Sequence, residues 1–186
     1  MSIVYVLLAH GFEEIEALAV IDILRRGEVN VMSVSIEETN WVLGSHNIRV
    51  EADILFSELQ LNECSMIVLP GGSIGTQRLY DYPGIHELLR KVSLNVSIAA
   101  ICAAPSILAR DGYLSGISAT SHPSYEKVMI DQGVDYSYEA VVVSGRFVTS
   151  RGAGTALDFG LALLACLKDE AAAQAVREAI VLDMKV

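Results

Sequence analysis

With 186 residues, 52% of them hydrophobic, and a mean hydropathy of +0.43, the chain reads as a single domain over 1–186 with a sheet buried on both faces. A formal net charge of −10 and a pI near 4.8 exclude the basic face of a nucleic-acid binder. Cys64, Cys102 and Cys166 are odd in number and far apart, which excludes a disulfide framework and suits a reducing, cytoplasmic compartment.

The first stretch, Ile3 to Leu8, is a continuous apolar run and predicts a doubly buried strand. The apolar run to Ala9 has no basic region before it and no room for a leader core, so no secretory signal is expected. Ala9-His10-Gly11-Phe12 is a turn, and Glu13 to Arg26 reads as a helix ended by Gly27. Glu13, Glu14 and Glu16 open that helix and Arg25 and Arg26 close it, as the macrodipole prefers. Any of the three acids alone reads as a solvated dipole partner. Only one that faced a reactive group would share a proton with it. Asp22 and Arg26 stand one turn apart, at ion-pair spacing.

Val29 to Val34 is the second strand. Trp41-Val42-Leu43 and Ile48-Arg49-Val50 suggest a small hairpin about Gly44-Ser45-His46-Asn47. Ser65 to Leu69 is a core strand running into Pro70-Gly71-Gly72. Ile85 to Val92 has helical spacing, and Val96 to Ile101 is the strand before Cys102.

Small residues surround Cys102: Ala100, Ala103 and Ala104, with Pro105 suited to the first turn of a helix through Arg110. The pattern has the form of a G-x-S-x-G nucleophile elbow with Cys in place of Ser. A thiol at a helix start is favoured as thiolate, although a free cysteine is also among the most buried residue types.

Ile117 to Thr120 is a short strand before Ser121-His122-Pro123, and Tyr125 to Ile130 a helix. Glu139 to Val143 and Arg146 to Thr149 pair about Ser144-Gly145. Thr155 to Leu167 is a helix with Thr155 and Asp158 at capping-box spacing. It carries Asp158 and Gly160 and falls short of the roughly 20 residues that span a bilayer, so no membrane span is expected. Glu170 to Ala179 is a last helix.

Strands alternating with helices predict a mainly parallel sheet covered on both faces. In such sheets ligands bind beyond the carboxyl ends of the strands. His10 and Gly11, Gly71 and Gly72, Cys102, His122 and Arg151 all fall at such ends, so they converge on one edge. The N–H groups of Gly72 and Ala103 are candidates for an oxyanion hole, with a plain tight turn as the alternative at Gly71-Gly72. His122 reads either as an acid/base group or as a turn residue before Pro123. His10, His46 and His86 read as surface groups.

Pro70-Gly71-Gly72-Ser73-Ile74-Gly75-Thr76-Gln77 lacks the G-K-[ST] ending of a phosphate loop. Arg151-Gly152-Ala153-Gly154 lacks the G-x-G-x-x-G spacing and reads as a helix-entry turn. No C-x-x-C or H-x-x-x-H spacing occurs, so no metal is expected.

Five motifs in order carry a family resemblance: Gly11-Phe12-Glu13-Glu14-Ile15-Glu16, Ile67-Val68-Leu69-Pro70-Gly71-Gly72, Ala99-Ala100-Ile101-Cys102-Ala103-Ala104-Pro105, Thr120-Ser121-His122-Pro123 and Thr149-Ser150-Arg151-Gly152-Ala153-Gly154-Thr155. The chain resembles the ThiJ/PfpI superfamily, in the branch of the Parkinsonism-associated protein deglycase and its bacterial relatives. The resemblance implies a flavodoxin-like three-layer sandwich, a homodimer, and a low-pKa nucleophile at Cys102. It places a buried, protonated glutamate at Glu16, the active-site histidine at His122, and the oxyanion donors at Gly71-Gly72 and Ala103.

Two departures bear on activity. Protease-like members have His directly after the nucleophile, where this chain has Ala103. Some close relatives have Arg near the position of His46. The reading that results is a cofactor-independent enzyme acting on a small reactive dicarbonyl such as methylglyoxal, or on glycated adducts. The alternatives are a cysteine redox sensor or chaperone without turnover and, third, an amidase or peptidase using His122.

Overall fold

The computed structural model describes residues 2–182; position 1 and positions 183–186 of the expected 1–186 domain lie outside the described residues. The chain runs β1 (Ile3–Leu8), α1 (Glu14–Arg26), β2 (Val31–Ser35), β3 (Trp41–Leu43), β4 (Arg49–Glu51), β5 (Ile54–Leu55), β6 (Cys64–Leu69), α2 (Ser73–Asp81), α3 (Pro83–Lys91) and β7 (Ser97–Ile101). It continues α4 (Pro105–Arg110), β8 (Ser118–Ala119), α5 (Glu126–Asp131), β9 (Asp135–Tyr136), β10 (Val141–Ser144), β11 (Phe147–Ser150), α6 (Ala156–Leu167) and α7 (Glu170–Ala179).

Among the described residues the main sheet has seven strands in the order β10-β11-β7-β6-β1-β2-β5. Each neighbouring pair from β11 to β5 is parallel, and only β10 with β11 is antiparallel. The expected sandwich with a mainly parallel sheet is therefore present.

Two-residue periodicity explains why the strands are apolar throughout. Ile3, Tyr5 and Leu7 of β1 join one core cluster with Leu79 of α2, Ile85 and Leu88 of α3, Ile107 of α4 and Met129 of α5. Val4, Val6 and Leu8 join the other, with Val20 and Leu24 of α1, Phe159 and Leu163 of α6 and Val176 of α7. Each buried Leu, Ile, Val or Phe contributes about 1.5–3 kcal/mol by leaving water. The α1–α6 contact depends on a missing side chain: a Cβ on Gly160 would stand 2.9 Å from Ile23 Cδ1.

Several local expectations change. α1 starts at Glu14 because Glu13 is its cap, its carboxylate accepting the N–H of Glu16 at 2.7 Å. Asp22 and Arg26 do pair, at 2.6 Å. Ser73–Asp81, for which the sequence reading names no element, is helical. Its Gly75 lets the helix approach the β1–α1 turn, and its N–H donates to Gly11 O at 3.1 Å.

The short strand β8 is not in the main sheet; it pairs with β9 in a separate two-stranded sheet. At α6 no capping box forms. Thr155 Oγ1 turns back to Gly152 O at 2.9 Å, while Asp158 takes Arg177 at 2.8 Å. No helix among the described residues is long and apolar enough to cross a membrane.

Candidate active site

β1, β6, β7 and β11 are neighbouring parallel strands, so their carboxyl ends lie on one edge of the sheet. Cys102 follows β7 with φ +64°, a left-handed conformation that non-glycine residues adopt only when the surroundings impose it. Two main-chain bonds do so. Its N–H donates to Ser150 O at 3.0 Å, and its carbonyl accepts the N–H of His122 at 2.8 Å. Ala100, Ala103 and Ala104 are buried around it, which gives the sharp strand-to-helix elbow room to form.

Glu16 reaches the thiol from the first turn of α1. It is 1% exposed, and its Oε2 accepts the N–H of Gly71 at 2.9 Å. Ala153 N–H and the Cys102 side chain also hydrogen-bond it. Gly71 has to be glycine here, because a Cβ would collide with Glu16 Oε2 and Cys102 Cβ. Gly72 turns at φ +87°, and Glu13 N–H ties to Gly71 O at 3.0 Å. The backbone N–H groups of Gly72 and Ala103 both hydrogen-bond the Cys102 sulfur. Glu16 is buried, as the resemblance implies, whereas for Glu14 the reading as a solvated dipole partner is corrected, because it too is buried.

Burial pushes the Glu16 carboxyl up to about 7; the Glu13 charge adds to this, and hydrogen bonds from Cys102, Gly71 and Ala153 oppose it. Burial and the Glu16 carboxylate push the Cys102 thiol up to about 12, against the two N–H groups. The sequence predicts a lowered thiol pKa, and the direction here is upward. The cause is burial first and then the Glu16 carboxylate one hydrogen bond away, which together outweigh the start of a six-residue helix. Thiol and carboxyl thus form a coupled pair that holds two protons below about 7 and one above it.

His122 is exposed and leads into the short turn Pro123–Tyr125. Its Nδ1 accepts the N–H of Ser124 at 3.3 Å and lies 2.6 Å from Ser124 Oγ. That assigns the neutral ring's proton to Nε2, next to Cδ2. Gly152, in the loop after β11, marks where the side chains meet. A Cβ at Gly152 would lie 3.6 Å from His122 Cδ2, 3.8 Å from Glu16 Oε1 and 4.0 Å from Cys102 Sγ.

The structure therefore brings together Cys102, Glu16, His122, Gly71, Gly72 and Ala103. Gly152 and Ala153 were missed, although the Thr149–Thr155 motif contains both.

The other histidines are less free than the sequence suggests. His86 lies between Asp111 Oδ2 and Tyr80 O, each at 2.6 Å. His10 Nδ1 accepts Leu43 N–H at 3.0 Å. His46 is exposed, but its ring lies 2.8 Å from Glu14 and 3.9 Å from Glu13. These three side chains bring ligand-type atoms within 4.8 Å of one another. The Glu14 carboxylate is already engaged by Ser45 Oγ, His46 N–H and the His46 ring. The trio thus works as a latch holding the β3–β4 hairpin tip to α1 rather than as an open metal site.

A family model described as DJ-1/PfpI matches residues 2–166. The chain belongs to the DJ-1/PfpI family. The Arabidopsis thaliana protein DJ-1 homolog A is 38% identical over 161 residues, covering 84% of this chain and 40% of that protein. For homolog B the chain spans 36% of the relative's length, so these plant relatives are much longer. A glutathione-independent glyoxalase, DJR-1.2, of Caenorhabditis elegans is 32% identical, with 84% of this chain and 83% of that one covered. A deglycase of Pyrococcus abyssi is 31% identical, with 81% and 90% covered. The solved structure of Drosophila melanogaster DJ-1beta superposes with a TM-score of 0.93 at 33% identity, covering 99% of this chain and 100% of that one.

In this DJ-1/PfpI member the residue after the cysteine is Ala103, and an imidazole, that of His122, comes beside Gly152 together with the thiol from another loop.

Proposed function

We propose that this chain is a cofactor-independent enzyme that uses Cys102 as nucleophile on small reactive dicarbonyls or their early adducts with amines and thiols. The observation that carries the reading is the meeting of Cys102 Sγ, Glu16 Oε1 and His122 Cδ2 within 4.0 Å of one point beside Gly152. Two relatives named as a glyoxalase and a deglycase support it.

In the proposed sequence Cys102 Sγ adds to the aldehyde carbon of methylglyoxal. The thiol proton passes to Glu16 and then to the carbonyl oxygen, giving a hemithioacetal. During the addition Gly72 and Ala103 N–H groups hold the developing oxyanion. Glu16 carboxylate next removes the hydrogen on that carbon, and the neighbouring ketone oxygen takes up a proton to give an enediol. Protonation of the second carbon, with the hydroxyl proton on the first carbon returned to Glu16 carboxylate, gives a lactoyl thioester. Water hydrolyses it to lactate and the free thiol. One carbon is oxidised and its neighbour reduced, so no external oxidant enters. A carboxyl whose pKa lies near the working pH suits repeated proton exchange, and His122 assists at the oxygen.

The test is lactate formation from methylglyoxal without glutathione. Cys102→Ser abolishes it, and Glu16→Gln lowers kcat by about 10²–10⁴-fold, the usual range for a positioned acid/base group. In the wild type kcat/KM rises with pH and levels off above about 7, as Glu16 becomes ionised. A folded wild type with a reduced thiol and no turnover overturns this reading in favour of a redox sensor.

We also read the chain as a single domain over 1–186 and as a homodimer in a reducing, cytoplasmic compartment. Exposed Ile15 and Leu18 of α1 and Trp41, Leu43 and Ile48 of the hairpin support the dimer. The hairpin is tied to the turn before α1 by Gly11 N–H to Leu43 O and Ser45 N–H to Phe12 O, and to α1 itself by His46 N–H to Glu14 Oε1. The free state of Cys64, Cys102 and Cys166 agrees with the compartment.

A further inference from the structure

The backbone of His122 is fixed on both sides. Its N–H donates to Cys102 O at 2.8 Å, and its carbonyl accepts Tyr125 N–H at 2.8 Å and Ser121 Oγ at 3.2 Å. Pro123 follows and confines it to extended backbone, at φ −60° and ψ 139°. Only the torsions of the ring itself are left for another group to set.

Ser124 takes hold of one end of that ring. Its Oγ lies 2.6 Å from His122 Nδ1, and its N–H donates to the same nitrogen at 3.3 Å. A backbone N–H can only donate, so Nδ1 presents its lone pair and the hydroxyl donates as well. In a neutral imidazole the nitrogen that accepts is bare, and the proton sits on the other. The other edge, Cδ2 with Nε2 bonded to it, is the one turned toward Gly152. Among the described residues no hydrogen bond engages Nε2. The one lone pair of the neutral ring is therefore held by Ser124, and a free N–H remains on the other edge.

We propose that Ser124 is a positioning residue that makes His122 a hydrogen-bond donor to the substrate oxygen and closes it as a base for Cys102. The proposal rests on the reading of Cys102 as nucleophile and deepens it by assigning the proton roles. Glu16 takes the thiol proton. His122 Nε2–H hydrogen-bonds the oxygen as negative charge gathers there and keeps its own proton, so no bond in the ring is made or broken. Such a donor acts most strongly in the transition state, so Ser124 bears on kcat more than on KM. Amidase or peptidase chemistry needs the imidazole to take the thiol proton, and this tautomer has no lone pair to take it with.

One test reads the ring and needs no turnover. Long-range proton–nitrogen NMR spectra are recorded in alkaline solution, where an ordinary imidazole is neutral, and the His122 signals are identified by their loss in His122→Leu. Wild type should carry the proton on Nε2 in about tenfold or greater excess over Nδ1. Ser124 is exposed, so Ser124→Ala removes the closer donor without opening the core. It should lower the excess by about threefold or more, and Ser124→Thr, which keeps the hydroxyl, should restore it. A wild-type ring protonated on Nδ1, or the same ratio in wild type and Ser124→Ala, overturns the proposal.

A second test reads the role in lactate formation. Ser124→Ala should lower kcat about three- to tenfold with KM changed less than about twofold, and Ser124→Thr should recover the loss. His122→Gln supplies an amide N–H and no basic nitrogen. Its kcat should exceed that of His122→Leu by about tenfold or more. Equal losses in these two variants overturn the donor role, because both lack a base. A wild type that forms no lactate would refute the dicarbonyl reaction, and the ring spectra then decide the Ser124 assignment alone.

Discussion

Glu16 holds a proton near neutrality because its carboxyl is dry and the Glu13 charge adds to the effect of burial, against the hydrogen bonds from Cys102, Gly71 and Ala153. Its value in the folded chain, about 7, stands above the ordinary 4.5. The folded state therefore binds this proton more tightly than the unfolded one. The stabilisation is fully present below about 4.5 and is lost as pH rises through about 7. Above that point a buried carboxylate works against the fold. Glu16→Gln keeps the shape and carries no charge. Urea unfolding should find the variant more stable than wild type at pH 8, by on the order of 1–3 kcal/mol, with the difference closing toward pH 5. An equal difference at both pH values would mean that shape, not ionisation, separates them. Glu16 was singled out in the sequence as the last acid of the Gly11–Glu16 motif. Its burial was legible only through the motif resemblance, since an acidic first turn by itself looks the same whether it faces water or a thiol.

Elements differ in how much of their setting is local. β1 and β7 were readable because runs such as Ile3–Leu8 are apolar on both faces, and α1 because its charges follow the dipole and Gly27 ends it. α2 was not readable: Gly75 weakens the helical signal, and its reason for being glycine is Gly11, distant in sequence. His86 on α3 shows the same limit. Nothing near it in sequence announces Asp111, yet the two lie 2.6 Å apart, joining α3 to the residue that caps α4.

The Asp111 hydrogen bond raises the His86 pKa above 6.5, burial opposes the rise, and Tyr80 O adds to it. A raised histidine stabilises fully below its unfolded value near 6.5 and loses that contribution as pH climbs through the folded value. His86→Gln should therefore cost about 1.5–3 kcal/mol at pH 5.5, the range for hydrogen bonds to a charged group, and less at pH 9. Chemical denaturation at the two pH values checks this; a cost that grows with pH would refute the charged clamp.

The whole molecule joins one open edge of a sheet to one apolar flank. Trp41 is 48% exposed and Ile15 57%, on a chain whose net charge of −10 otherwise favours separation. If that flank is the dimer surface, Leu18→Glu and Trp41→Glu together should give a folded monomer by light scattering. A dimer that persists would put the contact elsewhere. The elbow at Cys102 has a different consequence, one of timing. Its left-handed backbone is held by Ser150 O and His122 N–H, and its partner Glu16 by Ala153 N–H. All three anchors are made on the ribosome after the cysteine itself. A nascent chain that ends before β11 carries the thiol without the setting that tunes it. The growing polypeptide thus stays chemically ordinary until about 50 residues beyond Cys102 have emerged, counting from Cys102 to Ala153.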